Sequence, residues 1–389
     1  MNPISTTSAT TSARSIEAGR WAISTVFLLN GAGIGLWAAH VPVVQERMGI
    51  DTSTLSMVLL TIAAGALMAM PLMGGLTSRF GTRRMTLLSG FAFALMLGLI
   101  MKVDGLAPLF VTAFLFGISN GALDVAMNAN ASEVETARGL PTMSSFHGFF
   151  SLGGLFGAAL GGLIIGQGWG HGQGAMAMGV LTTAVLAVAA PRVLAFAPTH
   201  AHGSHFSLPR GAALGLGLLA LLCFAVEGAL VDWSGLLMQE RTGAAPATAA
   251  LGFSAFSIAM AACRFAGDRM IVRFGALRVM VVGGIAMFAG LATAVLSTHF
   301  LLSACGFALI GLGAANVVPL LFGAASRIPG MSAGAGVAAV ATLGYGGLLL
   351  APPVLGWIAT QSSIMMALGV LSLSGLVIAM SAGVVKRHG

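Results

Sequence analysis

The chain has 389 residues, of which 57% are apolar and only 7% are charged, and its mean hydropathy is +0.96. Because a soluble protein of this length needs far more charge to cover its surface, the composition excludes an ordinary soluble enzyme or binding domain. The formal net charge of +7 would suit a nucleic-acid-binding protein only if the basic residues formed one solvent-exposed surface.

Apolar stretches of about 20 residues recur along the chain, each long enough to cross a hydrocarbon core of ~30 Å at a rise of ~1.5 Å per residue. In chain order, the predicted spans are residues 21–44, 55–76, 85–101, 107–130, 142–166, 175–194, 211–238, 249–268, 279–297, 300–322, 332–358 and 364–385. The sequence therefore predicts an all-α membrane protein with twelve transmembrane helices.

The basic residues are distributed unevenly about these spans. Fourteen of the 18 fall on one side of the predicted membrane: Arg14, Arg20, Arg79, Arg83, Arg84, Arg138, Arg192, Arg210, Arg269, Arg273, Arg278, Arg327, Lys386 and Arg387. Since Lys and Arg concentrate in cytoplasmic loops, both termini are predicted to be cytoplasmic. The positive charge is a topology signal, and no nucleic-acid partner is expected.

The chain repeats itself at an offset of 194 residues, half its length. Arg79-Phe80-Gly81 returns as Arg273-Phe274-Gly275, and the same offset places Gly153 on Gly347. One shift aligns distant segments, so we predict two pseudo-symmetric six-helix halves, as in many secondary transporters, with the substrate between them. The predicted boundaries are 1–19 for a disordered cytoplasmic segment, 20–194 and 211–389 for the halves, and 195–210 for a cytoplasmic linker.

The loop after the second span reads Gly74-Gly75-Leu76-Thr77-Ser78-Arg79-Phe80-Gly81-Thr82-Arg83-Arg84. Together with the spans and the repeat, this loop resembles the signature of the major facilitator superfamily, which implies that fold. The family's loop normally carries Asp at the position of Ser78, where it is thought to help lock one conformation. The resemblance implies a gating role for charged residues of this loop and of its counterpart in the second half: Arg79, Arg83, Arg84, Arg264, Asp268 and Arg273.

Three further segments are similar to a bacterial branch of that superfamily near the fucose/proton symporters: 120–128, 143–148 and 227–233. The similarity implies a location in the bacterial inner membrane, and the fucose symporters themselves import sugar with a proton. No substrate follows, because the segments match the general pattern of the branch and no particular sugar-binding set.

Two acids inside the spans are candidate proton-coupling groups, because an ionisable side chain in a membrane is costly unless it faces a cavity or a partner. Glu227 lies close to the middle of the seventh span. Asp124 lies on the fourth span with Asn120 and Asn128 at four-residue spacing, which makes one polar stripe. The alternatives are a buried acid that fixes helix packing and an interhelical hydrogen-bond network.

Other polar residues in the spans are candidate substrate ligands: Asn30, Trp37, Asn120, Asn128, His147, Asn316 and Tyr345. Asn30 and Trp37 share a helix face and could hold a polar ring, although Trp37 could equally anchor the helix at the interface. His147 shares a face with Ser144 and Ser151 and is either a proton carrier or a structural residue.

The remaining charged residues are expected to be structural or to act as gates. Arg264 and Asp268 lie one turn apart and are predicted to pair with each other, the alternative being that Arg264 binds an anion. Asp232 is predicted to be a gate or surface residue near the periplasm. The loop predicted after the fourth span carries Glu133, Glu135 and Arg138. They are expected to pair with the basic signature loop, the alternative being contact with the substrate.

No cofactor or metal is predicted. The three cysteines lack metal-ligand spacing, and His200, His202 and His205 of the linker are expected to be solvated. Neither an HExxH nor a GxxxxGK[ST] motif is present, and neither an intramembrane enzyme nor an ATP-driven pump is expected.

The leading prediction is proton-coupled transport of a small solute by a monomer in the lipid bilayer. Two acids against one arginine in the span interiors favour a neutral polar molecule or a cation over a polyanion. The alternatives are drug/proton antiport, in which solute and proton compete for one acid, uniport, and a membrane sensor that binds its ligand without net flux.

Overall fold

The computed structural model describes residues 12–168, 173–196, 211–244, 249 and 251–384. Most of the predicted linker, with its three histidines, lies outside these ranges, as do residues 1–11. The helices within them are α1 (Ala13–Met48), α2 (Thr52–Phe80), α3 (Thr82–Ile100), α4 (Leu106–Arg138), α5 (Met143–Gly166), α6 (Gln173–Ala189), α7 (Ala212–Thr242), α8 (Leu251–Phe274), α9 (Ala276–Leu296), α10 (Phe300–Ala314), α11 (Val317–Ala325), α12 (Ala333–Gln361) and α13 (Ile364–Met380), with a 3-10 turn at Ala190–Arg192.

The helices follow the predicted spans in order, and α10 and α11 together form the tenth span. Among the described residues, nine segments are long and apolar enough to cross a membrane, the α10–α11 segment being one of them. The other three spans are α6 and α13, which have 17 residues each, and α8, which carries four charged side chains. The all-helical, twelve-span prediction is confirmed.

The first helix begins earlier than predicted, so residues 13–19 are helical where disorder is expected from the sequence. Ser12 caps α1 by accepting a backbone hydrogen bond from its first turn at 3.2 Å. Glu17 pairs with Arg20 at 2.8 Å and with Arg138 of α4 at 3.4 Å. These polar contacts extend the helix beyond its apolar stretch. A prediction from hydropathy misses this extension because it detects only the apolar residues.

The internal repeat is visible in the backbone. Gly81 and Gly275, at the α2–α3 and α8–α9 connections, have φ and ψ of 84° and 148°, and of 82° and 149°. This positive φ favours glycine because it lacks a Cβ. Gly153 and Gly347 let α5 approach α1, and α12 approach α7, so closely that a Cβ would overlap a carbonyl oxygen of the facing helix. The two halves share one plan.

The two halves contact each other at the end of the bundle that carries the start of α1 and the α2–α3, α4–α5 and α8–α9 connections, which we name the basic end. Here α2 packs on α12, with Gly74 against Ala335, and α5 packs on α8, with the rings of Phe149 and Phe265 5.6 Å apart. The polar side chains in the middle of the bundle therefore lie behind a closed basic end.

Candidate functional site

Each half contributes one acidic side chain to the middle of the bundle. Asp124 lies 18 residues after the start of α4, and Glu227 lies 15 residues after the start of α7, which enters from the other end. At ~1.5 Å per residue, both acids lie about 23 to 27 Å along their helices and hence near the middle of the bundle. The hydroxyl of Tyr345 on α12 faces the Asp124 carboxylate across the boundary between the halves.

Asp124 is buried and belongs to a polar series in the N-terminal half. Its Oδ1 accepts a hydrogen bond from the side-chain amide of Asn128 at 3.2 Å, and Oδ1 of Asn128 lies 3.1 Å from Nε2 of His147. The ring of His147 lies 6.0 Å from that of Phe322 in the other half. Oδ2 of Asp124 has no hydrogen-bond partner of ordinary geometry among the described residues, although the Tyr345 hydroxyl faces the carboxylate.

Arg264 of α8 is only 6% exposed and contacts three groups. Its Nη1 donates to Oγ of Ser151 on α5 at 2.6 Å, and its Nε donates to the carbonyl oxygen of Ala315 at 3.4 Å. Its Nη2 lies 3.9 Å from Oε2 of Glu227. The guanidinium thus connects the two halves and supplies the counter-charge of Glu227.

The predicted ion pair of Arg264 with Asp268 is wrong. Asp268 instead accepts backbone hydrogen bonds from Ser144 and Ser145, at 3.1 Å each, and a further one from the Ser145 hydroxyl. These N–H groups lie in the first turn of α5, where unpaired donors and the partial positive charge of the helix favour a carboxylate. Although they lie one turn apart on α8, Arg264 and Asp268 therefore serve different partners.

The tenth span is interrupted at Ala315 and Asn316, whereas the sequence predicts one continuous helix. Pro319 has no N–H and cannot donate to the carbonyl of Ala315, which leaves that oxygen for Arg264. The amide of Asn316 donates to Sγ of Cys263 at 3.5 Å. Non-helical backbone is tolerated at this depth because it is buried within protein.

Asn30 and Trp37 lie within the N-terminal half. Nδ2 of Asn30 donates to Oδ1 of Asn120 at 2.9 Å, and Trp37 is buried with its ring 6.0 Å from that of Phe116. The polar stripe predicted on α4 is therefore divided. Asn120 connects α4 to α1. Asn128 contacts His147 of α5, and Asp124 faces Tyr345 of α12.

The arginines of the signature loop lie at the basic end, outside the contacts between halves described above. Arg79 and Arg273 lie over the neighbouring phenyl rings at 5.1 and 5.3 Å, which repeats one contact in both halves. Arg83 donates to a carbonyl of the 3-10 turn at 3.2 Å, and Arg84 is exposed. The side chain of Asp232 lies outside the part that the structure describes.

Polar contacts between the halves close the basic end, and they include Ser132, Ser326 and Ser332, which the sequence analysis does not single out. The contacts between the halves are Ser78 with Ser332, Ser132 with Ser326, Glu135 with Arg327, and Ser145 with Asp268. Ser332 is the N-cap of α12, so a serine contact stands where the family's loop normally has Asp. The signal that could have identified Ser132 and Ser326 is their separation by the repeat offset.

The acids expected in the loop after the fourth span lie instead in the last turns of α4, as does Arg138. Glu133 accepts a hydrogen bond from Thr82 of the signature loop at 2.5 Å, as expected. Glu135 instead pairs with Arg327 of the other half at 3.3 Å. Of the three residues predicted to pair with the signature loop, only Glu133 does so among the contacts described. Arg138 pairs with Glu17 of α1.

Two pseudo-symmetric helical halves with a polar cluster at their boundary define a secondary transporter. A sequence profile described as Major Facilitator Superfamily matches residues 22–213. The chain is 36% identical over 361 residues to an uncharacterised MFS-type transporter of Yersinia pestis, covering 93% of this chain and 94% of the relative. It is 32% identical over 372 residues to the membrane protein MosC of Rhizobium meliloti, covering 94% and 90%. The chain belongs to the major facilitator superfamily, a family of transporters and not of enzymes.

Solved structures give the same result for the fold. The fucose:proton symporter FucP of E. coli matches with a TM-score of 0.79 at 14% identity, covering 95% of this chain and 99% of that one. The human organic anion transporter MFSD10 matches with a TM-score of 0.77 at 16% identity, covering 94% and 99%. At these identities the likeness concerns the fold alone.

Proposed function

We propose that the chain moves a small solute across the bacterial inner membrane by alternating access, coupled to protons, as a monomer with both termini in the cytoplasm. The observation that carries this proposal is that each half places one acid, Asp124 or Glu227, midway along a helix inside the bundle, with Arg264 linking Glu227 to Ser151 of the other half. Acids at the boundary of two rocking halves can change both their proton and the side of the membrane to which they are accessible.

The closed basic end sets the order of steps in this proposal. If that end faces the cytoplasm, as the Lys and Arg distribution indicates, the cluster is sealed from the cytoplasm and loads from the periplasm. Rocking then separates α2 from α12 and α5 from α8. It breaks the contact of Asp268 with the first turn of α5 and the ion pair of Glu135 with Arg327.

Arg264 provides a means of coupling. Its guanidinium lies 3.9 Å from Glu227 and donates to Ser151 of the other half. When Glu227 takes up a proton, its attraction for Arg264 falls, and the link between the halves weakens. Release of the proton on the cytoplasmic side restores the ion pair and resets the carrier.

The charges of the cluster favour a neutral polar solute or a cation. Glu227 engages Arg264, and Asp124 has no basic partner within the described part of the chain. A polyanion would find little compensating charge on entering this low-dielectric region. The fucose and protons named for FucP fit this cluster better than the organic anions named for MFSD10.

Drug/proton antiport is the second candidate, and one observation favours it. Asp124 has no basic partner in the described residues, so a cationic solute and a proton could occupy its carboxylate in turn. Symport requires that solute and proton are bound together. Antiport requires that each displaces the other, so lowering the pH would weaken solute binding.

Transport in proteoliposomes tests the proposal with a panel of sugars, polyols and cationic drugs, with and without a pH gradient. We expect the gradient to drive accumulation in the wild type, and Glu227→Gln to lose that accumulation while keeping solute exchange. Glu240→Gln is the matched control, because Glu240 is an exposed acid on the same helix. Flux that ignores both the gradient and Glu227→Gln would refute proton coupling through this acid.

A further inference from the structure

The interruption between α10 and α11, which we name the break, leaves the backbone close to a helix. Ala315 has φ and ψ of −47° and −42°, and Asn316 has −105° and −3°, both in the right-handed helical region. The N–H of Ala315 still donates to the carbonyl of Gly311 at 3.2 Å. The break lacks a donor at Pro319, which has no N–H to give to the carbonyl of Ala315. It therefore frees one carbonyl oxygen while both residues keep helical dihedral angles.

One turn of α8 contacts the break, with Arg264 in the middle of the contact. Nε of Arg264 donates to the carbonyl oxygen of Ala315 at 3.4 Å. Next to it along α8, Sγ of Cys263 accepts from Nδ2 of Asn316 at 3.5 Å. On the following turn, Gly267 packs so closely that a Cβ would overlap Oδ1 of Asn316. All five residues belong to the C-terminal half, so this contact fixes Arg264 relative to that half.

The guanidinium of Arg264 has partners in both halves. Ala315 and Glu227, whose Oε2 lies 3.9 Å from Nη2, belong to the C-terminal half. Ser151 belongs to the N-terminal half, and its hydroxyl is the nearest of the three partners at 2.6 Å. Hydrogen bonds from a charged donor are short and strong. When α5 moves away from α8, the guanidinium therefore either stays beside Glu227 or follows Ser151.

We infer that the break keeps the guanidinium of Arg264 beside Glu227 when the halves separate, so that Pro319 is a positioning residue for proton coupling; this inference rests on the proposed proton-coupled function. The carbonyl that Pro319 frees holds Nε in place while Ser151 moves away. Glu227 then releases its proton next to a positive charge, and the carrier resets. If the guanidinium followed Ser151, the carboxylate would form in a low-dielectric interior without its counter-charge, which is costly.

Pro319→Ala tests the inference, because alanine restores an N–H that donates to Ala315 within the helix and competes with Arg264. In proteoliposomes, we expect the initial rate of gradient-driven accumulation to fall by roughly tenfold, the scale of one hydrogen bond to a charged group, while solute exchange continues. Accumulation at the wild-type rate in Pro319→Ala would overturn the inference.

Pro71→Ala is the matched control. Pro71 lies inside α2, and a side-chain donor to the carbonyl that it frees, that of Leu67, is absent from the contacts described. Pro71→Ala should therefore keep the wild-type rate of accumulation. An equal loss in Pro71→Ala and Pro319→Ala would assign the effect to helix stiffness and overturn the positioning role of Pro319.

A second substitution distinguishes positioning from a general effect of the proline on the fold. Ser151→Ala removes the hydrogen bond of Arg264 with the N-terminal half. Because the guanidinium then has no such partner to follow, it should remain with Glu227 even when Ala315 is engaged within the helix. Pro319→Ala combined with Ser151→Ala should regain most of the accumulation that Pro319→Ala loses. A double variant no better than Pro319→Ala would contradict the positioning role.

Competition for the carbonyl of Ala315 is also measurable without transport. In the wild type, Pro319→Ala exchanges one hydrogen bond of this carbonyl for another. In Arg264→Met, whose side chain has no donor, the same change adds a hydrogen bond. We therefore expect Pro319→Ala to change the unfolding temperature in detergent more favourably in the Arg264→Met background. An equal change in both backgrounds would mean that Pro319 and Arg264 act independently.

Glu227→Gln separates failure of the proposed function from failure of the positioning role. If Glu227→Gln keeps gradient-driven accumulation, the proposed function fails. If Glu227→Gln loses it and Pro319→Ala keeps it, coupling through Glu227 stands and the positioning role of Pro319 fails.

Discussion

Ser132 of α4 and Ser326, which follows α11, are separated by 194 residues, the offset of the internal repeat, and their hydroxyls contact each other at the basic end. Two equivalent positions of a repeat meet only where the symmetry axis passes between them. The pair therefore marks the pseudo-two-fold axis that relates the halves, which in this fold runs along the membrane normal. Closure of the basic end is centred on that axis.

Joining the halves at this point is expected to stop transport. In a chain with Cys305→Ser, which removes an exposed native thiol, Ser132→Cys together with Ser326→Cys should form a disulfide on oxidation, because the two side chains already touch. Solute exchange in proteoliposomes should cease on oxidation and return with a reductant. The two single-cysteine variants are the controls. Normal exchange by fully cross-linked protein would mean that the basic end does not open.

Asp268→Asn is expected to loosen the basic end, because the first turn of α5 loses its negative partner. A carboxylate at a helix N-terminus is worth roughly 0.3–2 kcal/mol, so the open state should become several-fold more populated. The rate at which a maleimide labels Ser326→Cys measures this opening. Arg269→Gln, an exposed change one residue further along α8, should leave the labelling rate unchanged. Equal rates in both variants would contradict the gating role of Asp268.

The close approach of paired helices in each half predicts a matched pattern of alanine substitutions. Gly153→Ala and Gly347→Ala should each lower the free energy of unfolding by about 1–3 kcal/mol, because a methyl group would force apart α1 and α5, or α7 and α12. Their neighbours Gly154 and Gly346 have room for a Cβ, so Gly154→Ala and Gly346→Ala should be tolerated. Thermal unfolding in detergent measures all four variants.

The pairing of Arg264 with Glu227 predicts non-additive stability. Arg264→Gln leaves a buried carboxylate without its counter-charge and should cost about 3 kcal/mol or more. Adding Glu227→Gln removes that charge, so the double variant should be more stable than Arg264→Gln alone. Thermal unfolding of the single and double variants gives the coupling. Additive losses would indicate that the two side chains act independently.

Combining Asp268→Asn with Arg264→Gln tests whether Arg264 pairs with Glu227, as in the structure, or with Asp268, as the spacing along α8 predicts. Because Asp268 contacts the first turn of α5, it should restore no stability when combined with Arg264→Gln. If Asp268→Asn restored stability to Arg264→Gln and Glu227→Gln did not, the pair of Arg264 with Asp268 predicted from sequence would be supported.

The sequence carries the spans, the repeat and the identity of the intramembrane acids. Hydropathy is a property of contiguous residues, so it indicates helix after helix, and its errors lie at polar ends such as Glu17 and Glu135, where long-range ion pairs extend α1 and α4. The offset of 194 residues is likewise a linear property. An ionisable side chain in an apolar stretch is unusual wherever the helix finally packs.

The partners of these side chains were decided by tertiary structure. Spacing along α8 indicates that Arg264 and Asp268 can reach each other, but it contains no information on the rotation of α8 relative to α5 and α7. In the folded chain, the first turn of α5 offers Asp268 several donors, while Glu227 lies in the interior within reach of Arg264. A buried charge is stabilised by the nearest group of opposite charge in space, and that group comes from whichever helix packs beside it.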